Sequence, residues 1–458
     1  MRRGGCVLVA AWIAAGLTVG SASAAPLVRP ADRFADTVGV NTHVMHHDTA
    51  YKDLDRTIQA LQWLGVRHVR DGISAPAPPR GAWYRADQRR RFAALGKAGI
   101  RLNLITGGAD VDGDTQRERL RLVRQLPWVT AVEGPNEWDI NGGDDWAQTL
   151  PALQRSLYAD THDDPVLELR GVRVVGPSFG RLENGAVVGD LSDAMDVANL
   201  HAYTGGRQPE EAEAPGLLDL GESVRGARTV GARKPLMMTE TGYHSAFGQP
   251  GRMPPTPDNV TAAYLTRMLL EHARVGLART YLYELFDAFK DPLNISAEAH
   301  FGLFTLDYQP KPAASAIRSM LRIVRDARRS PTAAKLPVKL SGGDDSLRSL
   351  VLAKSRGNYV LALWRAVPLW DPSLRQEIPV PDEVIGVDLP RRFGTVRLRR
   401  PTGMDDPLEI WSDTDHIEVP VGGAPVLVQI SPRLTVVPRT QPALRPFVPT
   451  SLPLDVSE

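Results

Sequence analysis

The chain has 458 residues, with 54 lysines and arginines against 53 aspartates and glutamates, and one cysteine. So balanced a charge, without basic runs, removes the electrostatic case for nucleic acid or for an anionic membrane surface as partner. Cys6 has no second thiol to pair with, which excludes a disulfide framework and a cysteine-ligated metal site, while the length suffices for a large core without covalent staples.

Arg2 and Arg3, an apolar stretch from Val7 to Val19, and Ala22-Ser23-Ala24 have the layout of a secretory signal peptide over residues 1–24. The expected mature chain begins near Ala25 and is secreted or periplasmic. The stretch is short for a spanning helix, with an uncleaved anchor as the alternative, and no later segment has the apolar length to span a bilayer, so no stable membrane span is expected after cleavage. Loss of Arg2 and Arg3 takes the formal charge from +1 to −1.

Up to about residue 330, short apolar runs alternate with amphipathic segments. The runs predict strands at Val38 to Asn41, Val66 to Asp71, Ile100 to Ile105, Val129 to Glu133, Val172 to Val175, Val197 to His201, Leu236 to Thr239 and Thr280 to Glu284. Between them, Leu54, Ile58, Leu61 and Leu64, or Ala263, Leu265, Met268 and Leu269, recur at helical spacing. Eight strands with interposed helices predict an α/β fold, a (β/α)₈ TIM barrel over residues 25–330, with a doubly wound open sheet as the rival. The last helix is expected from about Lys311 to Arg328, with Pro310 and Pro312 marking its start.

After Pro331 the helical period stops. Ser349 to Ala353, Tyr359 to Trp364, Thr395 to Leu398, Leu408 to Trp411, Ile417 to Val419 and Val426 to Ile430 are short and β-rich, and predict a C-terminal β-sandwich domain over 331–432. Residues 433–458 are dense in proline and predict a poorly structured tail or an extended strap. No internal repeat is apparent.

Two glutamates stand where barrel enzymes build their chemistry, at the carboxyl ends of the fourth and seventh strands: Glu137 in Gly134-Pro135-Asn136-Glu137-Trp138 and Glu240 in Met238-Thr239-Glu240-Thr241. Cleaving a glycosidic bond needs a proton for the leaving oxygen and a nucleophile or activated water on the far side of the sugar carbon. Two opposed carboxylates meet both needs if their environments push their pKa values apart.

Asn136-Glu137 after strand four and Glu240 after strand seven resemble clan A of the glycoside hydrolases, retaining enzymes on a TIM barrel. The resemblance implies Glu137 as acid/base, Glu240 as nucleophile and Asn136 as the anchor of a sugar hydroxyl. It extends to Arg70 at the end of strand two, which would orient the nucleophile and lower its pKa, and to His201 and Tyr203 after strand six, the tyrosine donating to the nucleophile. Phe301-Gly302-Leu303-Phe304 and Pro310-Lys311-Pro312-Ala313, followed by a sandwich, look most like family 39 and related bacterial exopolysaccharide-associated glycosidases. The implied substrate is a polysaccharide or oligosaccharide, with no cofactor and no metal.

Strand eight departs from the clan, whose members often place a tryptophan there as the sugar floor. Here the segment offers Tyr283, Glu284, Phe286 and Asp287, which implies a more polar floor and a substrate with polar or amino substituents. His43, of the cluster His43, His46 and His47, is expected to touch sugar rather than metal. Asp110 to Asp114 begins like a calcium loop but lacks its glycine and glutamate positions. Trp138, Trp146, Tyr243 and Phe247 could line the cleft or pack beneath it, and Trp364 and Trp370 are expected in the core of the second domain or against the barrel. The alternative function is a noncatalytic carbohydrate-binding or cell-envelope scaffold protein on the same barrel, and oligomeric state is open.

Overall fold

The structure, a computed structural model, describes residues 26–73, 81–107, 113–210, 219–248, 253–326, 335–403 and 406–433. The segment expected as a signal peptide, part of the Asp110 loop and the stretch from 434 to 458 lie outside them. Eight parallel strands form the barrel: β1 (Val38–Asn41), β2 (His68–Gly72), β3 (Arg101–Ile105), β4 (Val129–Glu133), β5 (Arg173–Val175), β6 (Ala198–His201), β7 (Leu236–Thr241) and β8 (Arg279–Leu282). They pair in the order β5-β4-β3-β2-β1-β8-β7-β6. A parallel bridge between Val175 and Val197 brings the two ends together, with Gly176 N–H donating to Val197 O at 2.7 Å. The doubly wound rival is thereby excluded.

Every residue of β1 and of β6 is buried, as expected of strands packed on both faces, with helices outside and side-chain layers inside. The helices obey their sequence signals. Leu54–Leu64 starts on an Asp53 side-chain cap and ends on Gly65 at φ 87°, and the last barrel helix, Pro312–Val324, has proline in its first turn.

The second domain is antiparallel. Strands β9 (Lys339–Ser341), β10 (Leu347–Ala353), β11 (Tyr359–Arg365), β12 (Glu383–Arg399), β13 (Glu409–Val421) and β14 (Val426–Ser431) pair in the order β10-β11-β14-β12-β9, with β13 along β12. The stretches Leu408 to Trp411 and Ile417 to Val419, expected as separate strands, fall almost entirely within β13. Its partner β12 bends through an irregularity between Asp388 and Phe393, so that one half pairs with β9 and the other with β14. Alternation then serves two cores: Val351, Leu361, Leu363 and Val428 face the sandwich interior, while Leu350, Leu352, Val360, Ala362 and Trp364 join the barrel's hydrophobic cluster. Leu27–Pro30, for which the sequence offered no expectation, adds a parallel strand to β10.

A buried ion pair fixes the two domains together. Arg267, fully buried, donates to Glu210 (Nη2 to Oε2, 2.5 Å) and to the carbonyls of Val367 and Gly423, while Trp364 Nε1 donates to Glu210 Oε1 at 3.2 Å. Trp364 thus lies at the domain contact, and Trp370 packs edge-on to Phe247 across it.

Candidate active site

Glu137 begins the short helix Trp138–Asn141 and carries a left-handed backbone, φ 45° and ψ 54°, a conformation a non-glycine residue holds only where its surroundings enforce it. The enforcement is visible. Its N–H donates to Ser178 Oγ at 3.0 Å, and Asp139, in the same turn, accepts from the N–H groups of Gly180 and Arg181 and from Asn184, tying the turn to the loop after β5. Gly107 lets the loop after β3 approach, since a Cβ there would lie 2.3 Å from Pro135 N.

Glu240 projects from the end of β7. Arg70 Nη1 donates to its Oε2 at 3.0 Å and the Tyr203 hydroxyl to its Oε1 at 2.7 Å. Burial alone would raise the Glu240 pKa, but His201, Arg70 and the Tyr203 hydrogen bond outweigh it and hold the carboxyl below its ordinary range. Burial together with the neighbouring Glu240 raises the Tyr203 phenol far above its usual value, so that it stays a donor.

Arg70 is 2% exposed and all five of its N–H positions have partners in reach. Nε and Nη2 donate to Glu133, Nη2 also to Asn136 Oδ1 at 2.6 Å, and Nη1 to Asn41 Oδ1 and Glu240. Burial works against its charge, but Glu133 and Glu240 reverse this and raise its pKa. Sequence reasoning missed Glu133, the last residue of β4, and Asn41, the last of β1; Asn103 Nδ2 donates to Glu133 in turn. The available signal was their shared position, polar residues closing apolar strands.

His201 Nδ1 lies 2.8 Å from Glu137 Oε1 and 3.9 Å from Glu240 Oε2. Glu137, His201 and Glu240 each offer an atom within 4.8 Å of the others, the one group of three metal-capable side chains found among the described residues. Every member already has a protein partner, and Arg70 supplies positive charge to Glu240. The two glutamates that sequence placed 103 positions apart are therefore neighbours at one rim.

The floor beside strand eight differs from expectation. Tyr283 is present, its hydroxyl donating to Glu298 Oε2 at 2.9 Å. Glu284, expected at the cleft, is instead fully buried beneath it, accepting from Tyr51 OH at 3.0 Å with His43 Nε2 at 3.3 Å. Burial raises its pKa well above the ordinary value. Asp287 also turns inward, accepting from Lys311 at 2.6 Å. The acid facing the cleft is Glu298, which sequence reasoning did not single out. His43 lies over Glu284 and edge-on to Tyr283 at 5.9 Å, and burial with the adjacent His46 lowers its pKa to about 4, leaving it neutral. Trp138 packs, donating to Thr149, as does Tyr243, whose hydroxyl donates to Arg207 O.

The fold recurs in solved structures. A family 39 glycoside hydrolase from Bacteroides cellulosilyticus superposes with a TM-score of 0.60 at 15% identity, covering 88% of this chain and 83% of its own. This chain shares with that enzyme its fold, a parallel eight-stranded barrel followed by antiparallel sheets. A monomeric β-xylosidase from Caulobacter crescentus has a TM-score of 0.55 at 16% identity (90% and 98% covered), and a glucosidase from Croceicoccus marinus 0.57 at 11% (90% and 97%). At these identities the likeness is one of fold. No protein-family model matches the chain, and no curated protein matches it either.

Proposed function

We propose that the protein is an exported glycoside hydrolase that cleaves a polysaccharide or oligosaccharide with retention. The observation that carries this reading is the asymmetric pair: Glu240 held ionised by Arg70 and Tyr203, and Glu137 within 4.8 Å of it but paired with an imidazole. A carboxyl separation of roughly 5 Å suits double displacement, whereas inversion leaves room for a water between acids further apart.

In the first step Glu240 attacks the anomeric carbon as Glu137 gives its proton to the departing oxygen, so that the glycosidic bond breaks and a glycosyl ester forms. In the second, Glu137 takes a proton from water, which attacks the anomeric carbon and returns Glu240 to its ionised form. Arg70 and Tyr203 keep the nucleophile in place, and Asn136, locked by Arg70, presents its amide to the sugar. β-Xylosides and glucosides are the first substrates to try, given the activities named for the structural neighbours. Export rests on the signal-like first 24 residues.

Glu137→Gln and Glu240→Gln should each lower turnover by about 10³-fold or more while the protein remains folded. An activated fluorosugar should label Glu240. Activity at the wild-type level in either variant overturns the assignment, and an unlabelled Glu240 in a folded protein favours a carbohydrate-binding role.

A further inference from the structure

The loop after β1 and the start of the helix that follows β2 meet on the catalytic rim, and each carries a ring turned to solvent. Trp83, at the start of the helix Gly81–Lys97 that follows β2, is 60% exposed. The His47 ring, in the loop after β1, lies 6.1 Å from it. An exposed indole beside a second ring offers an apolar face on which a pyranose can stack.

The loop that presents His47 is rigid for a stated reason. Arg91, 5% exposed, spends its donors on it: Nη1 on Val44 O (3.0 Å) and Tyr51 O (2.9 Å), Nη2 on Lys52 O and His47 Nδ1 (both 3.2 Å), and Nε on Asp87 (2.8 Å). A guanidinium only donates, so His47 Nδ1 accepts and the ring proton sits on Nε2, 3.4 Å from Asp87 Oδ2. The imidazole is thereby fixed in both orientation and tautomer before any ligand arrives, which lowers the entropy cost of binding.

A separate line of rings, starting at the residue before His47, leads toward the chemistry. His46, exposed, stacks on His43 with centroids 4.9 Å apart and planes at 10°, and His43 meets Tyr283 edge-on at 5.9 Å. We propose that Trp83 and His47 form a second sugar subsite, remote from the scissile bond, so that the cleft grips an oligosaccharide at the reacting unit and again at the rim, with one pyranose face lying on the Trp83 indole. This deepens the glycosidase reading and rests on it. The general acid's own surroundings, Ser178 and Gly180 after β5, lie on the other side of the barrel, which places the subsite on the side away from the leaving group.

The test uses the full-length protein and paired substrates: para-nitrophenyl β-xyloside with its β-xylobioside, and para-nitrophenyl β-glucoside with its β-cellobioside. For the pair turned over best, the diglycoside to monoglycoside ratio of kcat/KM should exceed one in the wild type and fall about tenfold in Trp83→Ala, the size of one stacking contact. The exposed control Val166→Ala, far from the rim, should keep the wild-type ratio. An unchanged ratio in Trp83→Ala, or a wild-type ratio of one, overturns the subsite while leaving the glycosidase reading intact. If no pair is cleaved, that reading fails for these sugars, and retardation in native gels containing soluble xylan or mixed-linkage glucan decides the subsite: loss of retardation in Trp83→Ala supports it, and equal migration of both proteins in every gel overturns it.

Discussion

His201 stands between Glu137 and Thr239, with Nδ1 2.8 Å from Glu137 Oε1 and Nε2 2.8 Å from Thr239 Oγ1. Asn199 Oδ1 accepts from the backbone N–H of Leu200 and so faces Thr239 as an acceptor, to which the threonine hydroxyl donates at 2.7 Å. Thr239 therefore takes a hydrogen bond from His201 Nε2–H, and the imidazole presents Nδ1 to Glu137. One proton is shared across that contact, on the carboxyl or on the ring. The proposed acid/base thus has its proton held in place by a chain that ends on the backbone of β6.

Removal of the imidazole should harm the steps that depend on proton transfer most. His201→Ala is expected to slow cleavage of substrates with poor leaving groups by about 10²-fold or more, and that of activated aryl glycosides far less, because the latter need little protonation. The measurement is the dependence of kcat/KM on leaving-group pKa. Equal losses across the series would assign His201 a packing role.

The nucleophile's pKa is set by its donors, which gives a pH prediction with a definite sign. Glu240 lies below the ordinary glutamate value of 4.5, so its ionised form persists as pH falls, and activity should be lost only when pH drops through the lowered folded-state pKa. Its favourable contribution to stability is likewise present above 4.5 and lost as pH falls through that folded value. Tyr203→Phe removes a donor to the charged form, so the acid limb of the kcat/KM profile should move to higher pH. An unmoved limb would show that His201 and Arg70 set it without the tyrosine.

Glu284 should cost the protein stability at neutral pH. Burial raises its folded-state pKa, so the native state keeps a proton that the unfolded chain gives up once pH exceeds 4.5. The penalty therefore grows as pH rises from that value. Glu284→Gln retains an acceptor for Tyr51 and should raise Tm at pH 7 but not at pH 4, read by thermal unfolding at both. A lower Tm at pH 7 would mean that the carboxyl's contact with His43 is worth more than its burial costs.

The junction between domains should fail asymmetrically. Arg267→Met leaves Glu210 buried without its cation and should cost about 3–5 kcal/mol in denaturant unfolding. The double variant Arg267→Met with Glu210→Gln should recover part of that loss, since the stranded charge is gone. Equal destabilisation in both would mean that lost packing around Trp364 and Tyr264 dominates instead.

Much of this molecule is written locally. The apolar runs that became β1 to β8 matched to within a few residues, because a strand buried on both faces must be apolar throughout and a polar residue at its carboxyl end marks the rim; that same rule placed Glu137, Glu240, Arg70 and His201. Tertiary structure alone decided what each rim residue meets. Arg70 finds Glu133 and Asn41 only because barrel stagger brings three strand ends to one level, and Glu284 is buried while Glu298 stands exposed beside Tyr283 because the chain after β8 returns there 15 positions later. Leu27–Pro30 joins a sheet more than 300 residues downstream, and Glu210 meets Arg267 across 57 positions. Sequence periodicity carries the side of an element on which a residue sits; the partner it meets there is fixed when the barrel closes and the sandwich docks.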